Sequence, residues 1–490
     1  MRSIARSLFF GFLALAFVGT TAAYATSDSP SERAISALKK IDNKPDTLTV
    51  ILIPLLVKAI QSKSAELEQE TGIKLDFIEK GILTIHSDIM REKVSKLGSF
   101  DIMAYVPMWT GDFAAAEIAQ PLDAWIAKYD PDIGGYMGNS ADHAKFAGKV
   151  YGLMADGDAH TYIMRRDVIE HPGERAAFKA KFGRDPGCPR TWAEHQDLIT
   201  FFHRKAGEKL MGEVLKEEFY GTVEARVRGR NYVNWMHRFL SKGKLYFDDK
   251  MNPLIDSPEG IQATREFLAA YKEMDPAATG WDSAQLLPHY GGGRAFNTIH
   301  FAGTANFAES PKKSKVRGKN VYCVMPGTVV NGKLIQRTNN AGAFAYGVNA
   351  FSKSPEVAYL VGQWLASPKI GTEIILHRAS FFEPVRKIHF AKDGFRKEME
   401  EHYSPLFVAA HEKQILITAP LVSLPGANEY HDQLDIRLHE VLLGRLTPEQ
   451  AMKKAAAAWD EVTDDEERDS QIKFWAEQKK LFPKVNTPSG

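Results

Sequence analysis

The stretch Thr47–Ile78, TLTVILIPLLVKAIQSKSAELEQETGIKLDFI, decides the fold. Its first seven residues are apolar or β-branched, as a buried strand requires. Leu56, Ile60 and Leu67 then recur at near-helical spacing with Lys and Glu between them, the pattern of a helix with one apolar face. Gly72 is placed to end that helix, because glycine accepts the left-handed conformation at a helix C-terminus. Ile73–Ile78 reads as the next strand. Strand, helix and strand at this length make a βαβ unit, and strands joined by such a crossover run parallel. The fold class is therefore α/β.

Outward from this unit, Phe100–Val106 (FDIMAYV) is a further strand and Phe113–Ala119 a short helix. From Arg190 the texture is helical. Thr191 caps a helix that begins at Trp192, Asn231–Leu240 is a second helix, and Ser257-Pro258-Glu259 opens a third in cap-plus-proline style. Strand texture returns at Phe296–Phe301, Asn320–Met325 and Phe344–Asn349. A helical tail starts at Thr447-Pro448-Glu449.

Composition limits the possible functions. With 490 residues the chain exceeds what one core usually serves. At 44% hydrophobic and 25% charged it is a globular sequence. Lys and Arg total 62 against 61 Asp and Glu, so no basic excess exists to bind nucleic acid or an anionic membrane. Two cysteines, Cys188 and Cys323, exclude a disulfide scaffold and a cysteine-only zinc centre. Arg2 and Arg6 precede an apolar run, Leu8–Val18, and small residues ending in Ala23-Tyr24-Ala25. That run is too short to span a bilayer, so residues 1–25 read as a cleaved export leader and the mature chain as periplasmic.

Several segments are similar in order to one family. They are FDIMAYVPMWTGDFAAAEIAQPLDAWI, FAGKVYGLMADGDAHTYIMRRDVIE, PRTWAEHQDLITFF, DSPEGIQATREFLAAY, GGGRAFNTIHFAG, AGAFAYGVNAFSKSPEVAYLVGQWLASP and EPVRK. Together they resemble the extracellular solute-binding proteins of bacterial ABC importers, in the maltose-binding-protein-like branch that carries sugars and polyols. The resemblance covers roughly residues 47–459. It implies two α/β lobes joined by crossover hinge strands, with the ligand in the cleft between them. Carried over, lobe one is 46–157 plus 299–342, and lobe two is 158–298 plus 343–490. It further implies a monomer that delivers a sugar or polyol to membrane permease subunits, without a cofactor, a metal or catalysis.

Individual residues sharpen this expectation. Asp156 and Asp158, at i and i+2 of an extended segment, project to one face and can accept adjacent sugar hydroxyls. A solvated turn, a glycosidase pair and a D-x-D-x-H metal set with His160 are the alternatives. Trp109 follows a strand end, where open α/β sheets place ligands, and its ring can pack on a pyranose face. Trp235 is a stacking candidate or core, with Phe239 one turn later. Trp281, Phe301, Phe344 and Arg386 are ligand candidates because they match family positions. Gly291-Gly292-Gly293-Arg294 lacks the lysine and Ser/Thr of a phosphate loop. The run Lys312–Lys319 reads as a solvated loop. An exported carbohydrate hydrolase on the same scaffold is the second reading. Because the carried-over boundaries put Cys323 in lobe one and Cys188 in lobe two, the two thiols are expected not to pair.

Overall fold

The computed structural model describes residues 29–488, so the export-leader reading of residues 1–25 lies outside the described residues. Helix α1 (Pro30–Lys40) precedes the unit read from the sequence: β1 (Thr47–Leu52), then α2 (Pro54–Gln61) and α3 (Ser64–Thr71), then β2 (Lys74–Glu79). The single expected helix is two, broken at Ser62 and Lys63, where the Lys63 N–H turns back to the Ile60 carbonyl. Gly72 ends α3 in the left-handed conformation at φ 80°. β1 pairs parallel with β2 and with β3 (Ile102–Tyr105). The short helix expected at 113–119 is α4 (Thr110–Ala115), starting earlier because Thr110 Oγ1 donates to the Pro107 carbonyl.

The chain then runs through β4 (Leu153–Met154) and crosses over residues 155–160 into a second sheet. There β5 (Thr161–Arg165), α5 (Trp192–Phe202), β6 (Tyr220–Val223), α6 (Asn231–Leu240), α7 (Pro258–Tyr271), α8 (Ser283–Gly291), β7 (Ala295–His300) and β8 (Asn320–Cys323) follow in order. It returns to the first sheet as β9 (Ala345–Val348), followed by α9 (Pro355–Leu365). The tail forms α10 (Ala427–Leu442), α11 (Pro448–Asp465) and α12 (Arg468–Gln478). The first sheet has the order β2-β1-β3-β9-β4, and the second β6-β7-β5-β8. Two lobes thus share one chain through crossovers at 155–160 and 324–344.

The carried-over boundaries need correction after residue 299. β8 pairs antiparallel with β5, Cys323 opposite Tyr162, and belongs to the second sheet. β9 pairs antiparallel with β3 and β4 and belongs to the first. The expectation that the cysteines stay apart falls with that assignment. Cys188 and Cys323 form a disulfide, their α-carbons 5.5 Å apart. Both lie in the second lobe: beyond β8 the Gly327 N–H donates to the Arg190 carbonyl, so the chain leaving β8 runs beside the entry to α5. A bridge inside one lobe leaves the crossovers unconstrained.

The tail packs on α6 and α7 and also reaches the first lobe. Asp112 on α4 accepts the Gly426, Ala427 and Asn428 N–H groups at the start of α10. Asp435, on the same helix, accepts the Gly229, Asn231 and Tyr232 N–H groups at the start of α6. Carboxylates at helix N-termini are favoured by unpaired amides and the helix dipole.

Candidate functional site in the cleft between the lobes

A cavity of about 430 Å³ opens where the two sheets face each other. The first lobe contributes Ile53–Leu56, at the C-terminal end of β1, and Ile82 beyond β2. The second contributes Arg230, Asp282–Ala284, Leu287 and His300–Phe301. Asp158, Ala341–Gly342 and Phe344 come from the crossovers, and Phe381 and Glu383 from the segment after α9. Its volume suits a small molecule.

Of the residues singled out in the sequence, Asp158, Phe301 and Phe344 line this cavity. Asp156 and Asp158 do not sit on a strand, and their carboxylates diverge. Asp158 Oδ1 accepts the Ala302 N–H at 2.8 Å, whereas Asp156 Oδ1 accepts the Glu383 and Asp158 N–H groups at 2.9 and 3.1 Å. Asp156 is fully buried behind the cavity, its Oδ2 without a partner. Phe301 lies between His160 and His300, with the Arg230 guanidinium 5.2 Å from its ring centre. His160 turns its Nδ1 to Asn339, and among the described residues no group of three or more acids, histidines and cysteines is arranged to hold a metal ion.

The other candidates sit elsewhere. Trp109 is buried against His86 and Phe113, outside the cavity wall. Trp235 is core: Nε1 donates to Thr264 Oγ1 at 2.8 Å and the ring stacks on Phe239. Trp281 packs on His289, and only its neighbour Asp282 reaches the cavity. Arg386 ties the first lobe together, its guanidinium donating to the Ala366 and Pro131 carbonyls and to Asp132, above the Tyr136 ring.

Glu383, Arg230, Asp282, His300 and Phe381 are the wall residues that sequence reasoning missed. Glu383 is 1% exposed, its carboxyl set against that of Asp156, and neither of its oxygens receives an N–H or hydroxyl donor. The main chains around it are zipped together, with the Gly157 N–H on the Glu383 carbonyl. A Cβ at Gly303 would stand 2.6 Å from Glu383 Oε1, and one at Gly342 1.8 Å from Asp158 Oδ2. Both glycines make room for a carboxylate. Burial, and then the Asp156 and Asp158 charges, push the Glu383 carboxyl well above its ordinary range. Burial and Asp158 push Asp156 up, and burial pushes Asp158 up to about 7. On the second-lobe wall Arg230 contacts Asp282 at 3.3–3.4 Å, and its charge also acts on Asp158. Burial raises Asp282, but Arg230 and the Ser283 N–H outweigh it and hold the carboxyl low. Burial pushes His300 down to about 4, leaving a neutral ring whose Nε2 meets Ser283 Oγ at 2.9 Å.

Two sheets around an aromatic and acidic cavity, joined by paired crossovers, define a two-lobed ligand-binding protein. The chain belongs to the bacterial extracellular solute-binding protein family, whose model matches residues 54–372. It is 23% identical over 373 residues to a probable amino-acid ABC transporter periplasmic-binding protein of Sinorhizobium fredii, covering 74% of this chain and 77% of that one. Two solved structures share the fold. An ABC transporter solute-binding protein from Agrobacterium radiobacter in complex with ribitol has a TM-score of 0.69 at 19% identity, over 84% of this chain and 97% of that one. Maltose-bound MalE3 of T. maritima has a TM-score of 0.68 at 17% identity, over 84% and 99%. No helix among the described residues is long and apolar enough to cross a membrane.

Proposed function

We propose that the protein captures a small sugar or polyol in this cavity and hands it to the permease subunits of an ABC importer, acting in the periplasm as a monomer and without turnover. The observation that carries the reading is the pairing of flat rings with buried acceptors in one interlobe space: Phe301, Phe344 and Phe381 beside Asp158 and Glu383. Rings cover the C–H faces of a polyhydroxylated ligand while carboxylates accept its hydroxyl protons. Family membership and the ribitol and maltose complexes of proteins with the same fold support the ligand class. A pair of cavity carboxylates is also what a hydrolase would need, so the test includes turnover. A thermal-shift screen of monosaccharides, disaccharides and polyols should raise the melting temperature for a subset. Each hit should be recovered unchanged after prolonged incubation. A screen with no hits removes the ligand class, and consumption of a hit makes the protein an enzyme.

A further inference from the structure

Building on that capture reading, we infer that the natural ligand is an aminated sugar or polyol, its positively charged nitrogen seated between Glu383 and Asp158 and its carbon skeleton against the phenylalanines. The wall carries three carboxylates, Asp158, Asp282 and Glu383, against one guanidinium. That guanidinium, Arg230, is engaged by Asp282 beside it and shares its charge with Asp158. What remains undercompensated is Glu383, buried with no N–H or hydroxyl donor on either oxygen and set against the Asp156 carboxyl, and Asp158, which has the Ala302 N–H and only a share of the Arg230 charge. Asp156 adds a third buried carboxyl directly behind them, with two backbone N–H groups on one oxygen and Glu383 beside it but no cation.

A neutral polyol can donate hydroxyls to these oxygens, but it brings no positive charge to them. An ammonium supplies donors and the missing charge at once, the stronger form of hydrogen bond. The rings add to this, because an aromatic face attracts a cation. A zwitterionic amino acid fits less well, because it brings a further carboxylate to a wall that already sets three against one guanidinium.

The free protein meets the same imbalance by holding protons. The groups facing Glu383 and Asp158 are Asp156 on the crossover, Arg230 and Asp282 opposite, His300 at the end of β7, and Tyr403 behind. Burial and mutual repulsion raise the carboxyls, so an arriving ammonium displaces a proton to the buffer. A neutral ligand does not.

Calorimetry on the mature chain with two matched pairs, glucamine against sorbitol and glucosamine against glucose, tests this in two buffers of different ionisation enthalpy. In at least one pair the aminated member should bind ten-fold or more tighter than its neutral partner. Its heat should depend on the buffer, reporting proton release. Glu383→Gln should erase that preference, the aminated member losing at least ten-fold more affinity than its neutral partner and its heat ceasing to depend on the buffer; Asp158→Asn is read by the same ratio should the first variant not fold. Equal or tighter binding of the neutral member in both pairs overturns the inference and leaves sugar capture standing. Failure of all four probes, together with an empty thermal-shift screen, overturns both.

Discussion

Two fully buried glutamates, Glu224 inside the second lobe and Glu383 at the cleft, have opposite fates. Glu224 Oε1 takes Arg238 at 2.8 Å and its Oε2 takes Arg226 at 2.9 Å, and all three side chains are sealed from solvent. The guanidiniums are themselves stacked, Arg226 over Phe267 and Arg238 over Trp192. Burial raises Glu224, but the two arginines outweigh it and bring the carboxyl down to about 2. Glu383 has the same burial and no such partner, and its carboxyl moves the other way. Burial sets the size of the electrostatic problem, and the supply of cationic partners decides whether a buried carboxyl is held charged or is driven towards its neutral form. Glu224 joins β6 to α6, the helix that begins next to Arg230. Glu383 faces the cavity whose wall Arg230 shares.

The comparison breaks most readily at Glu224. Glu224→Ala leaves two guanidiniums buried without a carboxylate, and removing one partner of a buried pair costs about 3–5 kcal/mol. Urea denaturation should show a loss of that size; a loss below about 1 kcal/mol means that water reaches the arginines and the site is not sealed. Next in size is the disulfide, which stabilises the same lobe covalently. Cys188→Ala with Cys323→Ala opens a loop of 135 residues and should cost about 2–4 kcal/mol. Free thiols found in the unreduced protein would remove the bridge altogether. A smaller effect follows at Gly342, where a Cβ would overlap Asp158 Oδ2. Gly342→Ala should displace that carboxylate and weaken ligand binding ten-fold or more by calorimetry, with stability reduced by about 1–3 kcal/mol. Unchanged affinity would take Asp158 out of the site.

Much of the fold was legible because its signals are local. The helix Asn231–Leu240 was read to the residue, and Thr191, Ser257 and Thr447 cap their helices through side-chain oxygens as their positions imply. Strand membership was less legible: nothing within NVYC says that it pairs with β5, and carrying family boundaries across put that strand in the wrong lobe. The cleft was legible in part. Asp158, Phe301 and Phe344 reach it, but Trp109 and Trp235, the residues whose type best suits sugar stacking, are packed inside the lobes. Within EPVRK the arginine drew attention and the glutamate proved to face the cavity. That choice depends on Asp156, 227 residues away, whose carboxylate fixes the Glu383 main chain. A pairing so distant leaves no trace in local pattern.

The smallest expected effect is the one that most sharpens the contrast. Glu224 has its carboxyl depressed in the folded state, so its contribution is present above the ordinary glutamate value of 4.5 and is lost as pH falls through about 2. Glu383 is raised above 4.5, so its contribution is full below that value and is lost as pH rises through the folded-state value. Glu383→Gln removes the ionisation while keeping the shape. The variant should therefore match the wild type near pH 4.5 and become the more stable of the two as pH rises, by about 1 kcal/mol, the order of the penalty for an unpaired buried group. Buried histidines such as His195 and His389, pushed down to about 3, destabilise both proteins as pH falls and so leave the difference between them unchanged. Urea midpoints at pH 5, 7 and 9 read that difference directly. A gap that stays flat, or one that favours the wild type at pH 9, would mean that Glu383 already has a partner inside the protein, and the two glutamates would then differ in degree only.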